Sequence, residues 1–154
     1  MDAVAFVPNP GLDALRRRRA ELFESMGALR QALAAPTSGC LDGWSEWVDV
    51  ALIELSADIR AHIAITEGPG GLHGDVVDVA PRLSYAVHRL VGEHVTINDL
   101  LSQLTLRARG ATTGAHVDDV RGLGADLLVR LDRHRQRGAD LVFEAYETDI
   151  GGET

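Results

Sequence analysis

The chain has 154 residues, enough for one hydrophobic core of ordinary size and too few for two domains of typical length. Fifteen basic residues oppose 23 acidic ones, a formal charge of −8 with histidine counted neutral, which argues against nucleic acid as a partner. The single cysteine, Cys40, excludes an internal disulfide. The opening MDAVAFVPNP lacks a basic stretch followed by an apolar one, and charges break every apolar run well before a membrane span, so a cytoplasmic protein without membrane association is expected.

Aromatic residues are sparse, and Val and Ile fall at helical spacing instead of alternating, which leaves strands little support. Turn chemistry separates four helical segments. Asn9-Pro10-Gly11 precedes the first, with Asn9 as a candidate N-cap. Residues 36–42 join the first to the second, with Asp42 as a candidate cap. Gly68-Pro69-Gly70-Gly71 closes the second, Leu72 to Val79 reads as loop or a short helical piece, Pro81 opens the third, and residues 110–114 precede the fourth.

Each segment carries a seam of apolar residues at 3–4 spacing, the pattern that buries one helix face against its neighbours. The first runs Leu12, Leu15, Arg19, Leu22, Met26, Leu29, Leu33, and the second Val48, Leu52, Leu55, Ile59, His62, Thr66. The third runs Leu83, Val87, Leu90, His94, Ile97, Leu101, Leu104, and the fourth Val120, Gly124, Leu127, Leu131, His134, Gly138, Leu141, Ala145. Four such seams predict an all-α fold: one domain over 1–154, with its core at about 12–147, built as an up-down-up-down antiparallel four-helix bundle.

Polar residues inside the seams are the informative ones. Three helices each place one histidine there, His62, His94 and His134, and the first places Arg19. In an antiparallel bundle these four positions fall at similar depth. Any one of the histidines alone reads as a core residue hydrogen-bonded to its neighbours. Three at one level read equally well as ligands of an enclosed transition metal, since imidazole is a neutral donor of intermediate softness. Arg19 is no ligand; its guanidinium stays charged, and either fills the site or lays its stem along the seam with a solvated head. Asp58, one turn before His62, shares that face or pairs with Arg19, and Glu67 follows His62 by five residues. Glu93 points off its seam and Asp140 is off register, which reads as surface, as do His73, His88 and His116. Trp44 and Trp47 cap the core or form an oligomer contact, a homodimer in the simplest case. Gly138, one turn beyond His134, leaves room inside the bundle.

Three local segments resemble a known family in order: HIAITEGPGGL at 62–72, LVGEHVTINDLL at 90–101 and LVRLDRHRQRGADL at 128–141. Over roughly residues 12–147 the chain resembles the hemerythrin-like (HHE cation-binding) domains. The resemblance implies a four-helix bundle holding non-haem iron on histidines and carboxylates, used to bind oxygen or to sense oxygen, iron or nitric oxide. His62, His94 and His134 match histidine ligand positions, and Glu67 is what remains of the acidic pair after the second-helix histidine. Thr66 and Ala139 stand where the family has carboxylate ligands, the second histidine of the third segment is absent, and Arg19 stands where the first helix would supply a ligand.

The expectation is therefore a metal- or small-ligand-binding or sensing protein with a reduced site on His62, His94, His134 and Glu67, flanked by Arg19 and Asp58. Its cofactor is iron, another transition metal such as zinc, or none. The alternative is a metal-free bundle in which Arg19 pairs with Asp58 or Glu67 and the protein is a structural or interaction module. No nucleophile or phosphate-loop arrangement points to an enzyme; oxidative chemistry on the remnant site is the weakest reading.

Overall fold

The computed structural model describes residues 10–148. Among the described residues there are four long helices and one short one: α1 (Pro10–Ala34), α2 (Leu41–Glu67), α3 (Leu72–Val79), α4 (Ser84–Arg109) and α5 (Gly114–Phe143). A 3₁₀ turn at Pro81–Leu83 leads into α4, and a π-helical turn at Glu144–Thr148 extends α5. No strand forms among the described residues, as the missing alternation predicts. The expected cap at Asn9 lies outside the described residues. None of the described helices is long and apolar enough to cross a membrane.

The punctuation works as its chemistry dictates, with one exception. Gly39 and Gly70 adopt positive φ in the α1–α2 and α2–α3 connections, conformations glycine reaches without steric cost. A side chain at Gly71 would collide with the carbonyl oxygens of Thr66 and Gly68, so the tight turn that redirects the chain into α3 requires glycine. Thr113 caps α5, its hydroxyl accepting from the His116 amide. Asp42, expected as the cap of α2, lies inside the helix, which begins at Leu41 behind Cys40 and has no side-chain cap.

The seams are buried as periodicity predicts. Leu22, Met26, Leu29 and Leu33 of α1 pack with Val48, Leu52, Leu55 and Ile59 of α2, Ile97, Leu101 and Leu104 of α4, and Val120, Leu127 and Leu131 of α5. Trp44 is buried in this core, while Trp47 is 56% exposed. Packing is closest where Leu33 lies across Gly124: a methyl group there would strike Cδ1 of Leu33. Arg121, three residues earlier, fastens the C-terminus of α1 by donating from Nε to the Leu33 carbonyl (2.7 Å) and from Nη2 to that of Ala35 (2.8 Å). These two carbonyls lack intrahelical partners, so the guanidinium satisfies groups the helix end leaves open.

Register between helices follows from the cross-links. Ser45 of α2 donates to the Ala108 carbonyl of α4, and Asp49 pairs with Arg109, while Glu67 reaches His94 at the opposite end, so α2 and α4 run antiparallel. Arg19 near the start of α1 contacts Arg135 late in α5, whereas Leu33 near its end contacts the start of α5, so this pair is antiparallel too.

The apolar interior is divided. Besides the main core, a second cluster joins Val76 and Ala80 to Leu83, Val87 and Leu90 of α4 and to Leu141 and Ala145. His94 stands between Leu90 of the second cluster and Ile97 of the main core, and His134 between Leu131 of the main core and Leu141 of the second. The histidine layer therefore lies between two apolar clusters, and α3 contributes Val76 to one of them.

Candidate metal centre

His62 from α2, His94 from α4 and His134 from α5 converge, as equal depth in three seams requires. Nε2 of His134 lies 3.0 Å from Nε2 of His94 and 3.1 Å from Nε2 of His62, and one donor atom from each ring falls within 4.8 Å of the others. The rings meet edge to face, with centroids 4.7–5.3 Å apart. His94 and His134 are each 3% exposed.

Proton placement makes this convergence informative. His94 donates from Nδ1 to Oε2 of Glu67 at 2.9 Å, because an ionised carboxylate can only accept. The Nε2 of a neutral His94 is then a bare lone pair. The Nδ1 of His134 lies 3.5 Å from Oε2 of Glu93, and neither atom has a hydrogen-bond partner among the described residues; Glu93 is itself held by Arg137. With neutral rings, a proton on His134 Nε2 satisfies its contact with His94 and blocks that with His62. Without that proton, two lone pairs face each other at 3.0 Å. At most one of the two short contacts is an ordinary hydrogen bond.

An imidazolium is disfavoured at His62 and at His134. Burial first, then the neighbouring His134, His94, His73 and Arg19, push the pKa of His62 down to about 3. Burial and His94 push His134 down to about 4, against the opposing pull of Glu93. Imidazole lone pairs turned inward are a donor set for a dication of intermediate softness, so the three histidines could hold a metal ion. An ion bound tetrahedrally at about 2.0–2.1 Å holds its nitrogens about 3.3 Å apart, close to the two spacings that His134 makes with its neighbours. Glu67 and Glu93 occupy the positions in which carboxylates orient ligating histidines.

Sequence reasoning placed some neighbours wrongly. Asp58 does not pair with Arg19; its Oδ2 accepts from Ser25 Oγ of α1, because the seam fixes which face of α2 is inward but not which neighbour its flank meets. Glu67 pairs with His94 Nδ1 instead of Arg19 and is not among the converging donors. Glu93, read as a surface acid, turns toward His134. His73, read as superficial, is 7% exposed, its ring stacked on His94 with centroids 6.0 Å apart and planes 9° apart. His88 and His116 are exposed as expected, and Asp140 accepts from Gln136.

Beside the triad lies a cavity of about 30 Å³. Its polar lining is Arg19, His62, Thr66, His73, His134 and Arg135, and Gly138 opens onto it as expected. The remaining walls are apolar, including Leu15, Leu22, Leu90 and Leu141. No family model, curated protein or solved structure matches the chain.

Proposed function

We propose that the bundle is a metal-binding protein that holds one transition-metal dication on Nε2 of His62, His94 and His134, in a binding or sensing role for a small ligand. The single observation that carries this reading is the pair of Nε2–Nε2 contacts at 3.0 and 3.1 Å, which neutral rings cannot satisfy by hydrogen bonding alone. Glu67 behind His94 and Glu93 behind His134 support it, since they favour the Nδ1-protonated tautomer that a metal ligand needs.

The donor set argues for one ion instead of a bridged pair. Two dications close together need carboxylate ligands to offset their charge, and no carboxylate joins the cluster of donors. A nitrogen-only set of three suits zinc, cobalt or iron(II) with a remaining coordination position. The hemerythrin-like resemblance enters on the same footing: the fold class and three of its histidines agree with it, while the chain's own carboxylates stand behind the donors.

The test is metal content of protein purified without an affinity tag and supplied with zinc or iron. One equivalent per chain, lost in His94→Ala, is expected; less than a tenth of an equivalent, unchanged by His94→Ala, overturns the reading. A metal-free structural module is the second reading. The observation favouring it is the positive charge of Arg19 close enough to perturb His62, which repels a dication unless an anion lies between them.

A further inference from the structure

That last condition points to a ligand. Arg19 is half-buried in the α1 seam, and its one hydrogen bond is a long donation from Nη2 to the Arg135 carbonyl at 3.5 Å. It forms no ion pair among the described residues. Burial and the nearby Arg135 both lower its pKa, but a guanidinium stays protonated in proteins, so its charge has no carboxylate partner among the described residues. The acids that sequence offers as partners are engaged elsewhere: Asp58 with Ser25, Glu67 with His94 and Glu93 with Arg137.

Among the described residues, the cavity's lining includes two arginines, three histidines and Thr66, and no carboxylate. Nε of Arg135 and Nδ1 of His73 are buried with no hydrogen-bond partner among the described residues, although buried polar atoms are as a rule paired. The Arg19 charge and the open Nε–H of Arg135 both call for an acceptor bearing negative charge. Size narrows the choice. A volume of about 30 Å³ accommodates roughly two water-sized groups, which excludes nucleotides, sugars and amino acids.

We propose that the cavity takes a small monovalent anion of two or three heavy atoms, of the formate, nitrite or azide class, held by the Arg19 guanidinium on one side and facing His62 and His134 on the other. The proposal rests on the metal reading in that an ion on the histidine triad supplies the anion's second contact. A neutral diatomic of the same size leaves Arg19 unpaired, so charge, not shape, is the selecting property.

The test uses the full chain loaded with cobalt(II), whose visible spectrum reports the metal's surroundings, together with calorimetry. Formate, and formamide as its neutral counterpart, are titrated into the wild type, Arg19→Leu and Arg19→Lys, each first checked for cobalt content and helical circular dichroism. Formate is expected to shift the spectrum and bind at least tenfold more tightly than formamide, with that preference lost in Arg19→Leu and largely kept in Arg19→Lys. Equal binding of formate and formamide, or undiminished formate binding by a cobalt-loaded Arg19→Leu, overturns the anion proposal and leaves the metal reading intact. Failure of the wild type to take up cobalt overturns the metal reading instead. Calorimetry on the metal-free protein then decides for the anion: formate binding that needs Arg19 supports it, and no heat refutes it.

Discussion

The depressed basicity of the buried histidines makes the fold acid-sensitive in a pH range where carboxylates are still ionised. His62, held down to about 3, and His134, held down to about 4, stay neutral in the native protein at pH 5, whereas in the unfolded chain both titrate near 6.5. The unfolded state therefore binds more protons below that value, and the contribution of these rings, fully present above pH 6.5, is lost as pH falls toward 4. Acidification from pH 7.5 to 5 costs about 2 kcal/mol for one such histidine and about 4 kcal/mol for the two together. That is a large part of the 5–15 kcal/mol by which domains are commonly stable.

Urea unfolding of metal-free protein, followed by circular dichroism at pH 7.5, 6.5, 5.5 and 5.0, measures this directly. A steady fall in unfolding free energy of about 4 kcal/mol is expected, roughly halved in His62→Leu and nearly abolished when His134→Leu is added. A loss below about 1 kcal/mol in the wild type, or an equal loss in the double variant, refutes the assignment of the acid sensitivity to His62 and His134.

Glu67→Gln should leave the helical content unchanged and weaken zinc binding about 10- to 100-fold in a chelator competition, since a neutral amide no longer enforces the His94 tautomer. The two glycines near the start of α5 should respond oppositely to alanine: Gly122, with nothing near a new methyl, gains up to about 1 kcal/mol from helix propensity. Gly124, pressed by Leu33, loses about 1–2 kcal/mol net, because overpacking outweighs that gain; thermal denaturation checks both. Arg121→Ala, which strands the Leu33 and Ala35 carbonyls, should cost about 1–3 kcal/mol by urea denaturation.

The apolar seams were legible because burial imposes a 3–4 spacing that no other constraint imitates, and the three triad histidines were found as interruptions of it. His73 carried the same signal in a weaker form. His73, Val76 and Ala80 fall at 3–4 spacing and are all buried, but α3 has only eight residues, too few for periodicity to stand out after four residues of turn chemistry. Glu93 was hidden differently. One position before His94, it lies off its own seam, and it becomes relevant only because α5 brings His134 against that flank. A seam reports which face of a helix is inward; the rotation and identity of the neighbour, which decide what a flanking side chain meets, are properties of the assembled bundle.

The same distinction governs charge. An excess of eight acids over bases suggests a protein that attracts cations, yet the polar wall of its internal cavity is made of arginine, histidine and threonine. Net charge describes a field averaged over the surface and screened within about 10 Å, whereas the potential in an enclosed, leucine-walled space is set by the few charges that face it. Of these, Arg19 and Arg135 face the cavity, while Glu67 and Glu93 stand behind the histidines. A dication on the triad adds to the positive side of that balance, so the same leucines that shelter the site from water also make an anion the component it most lacks.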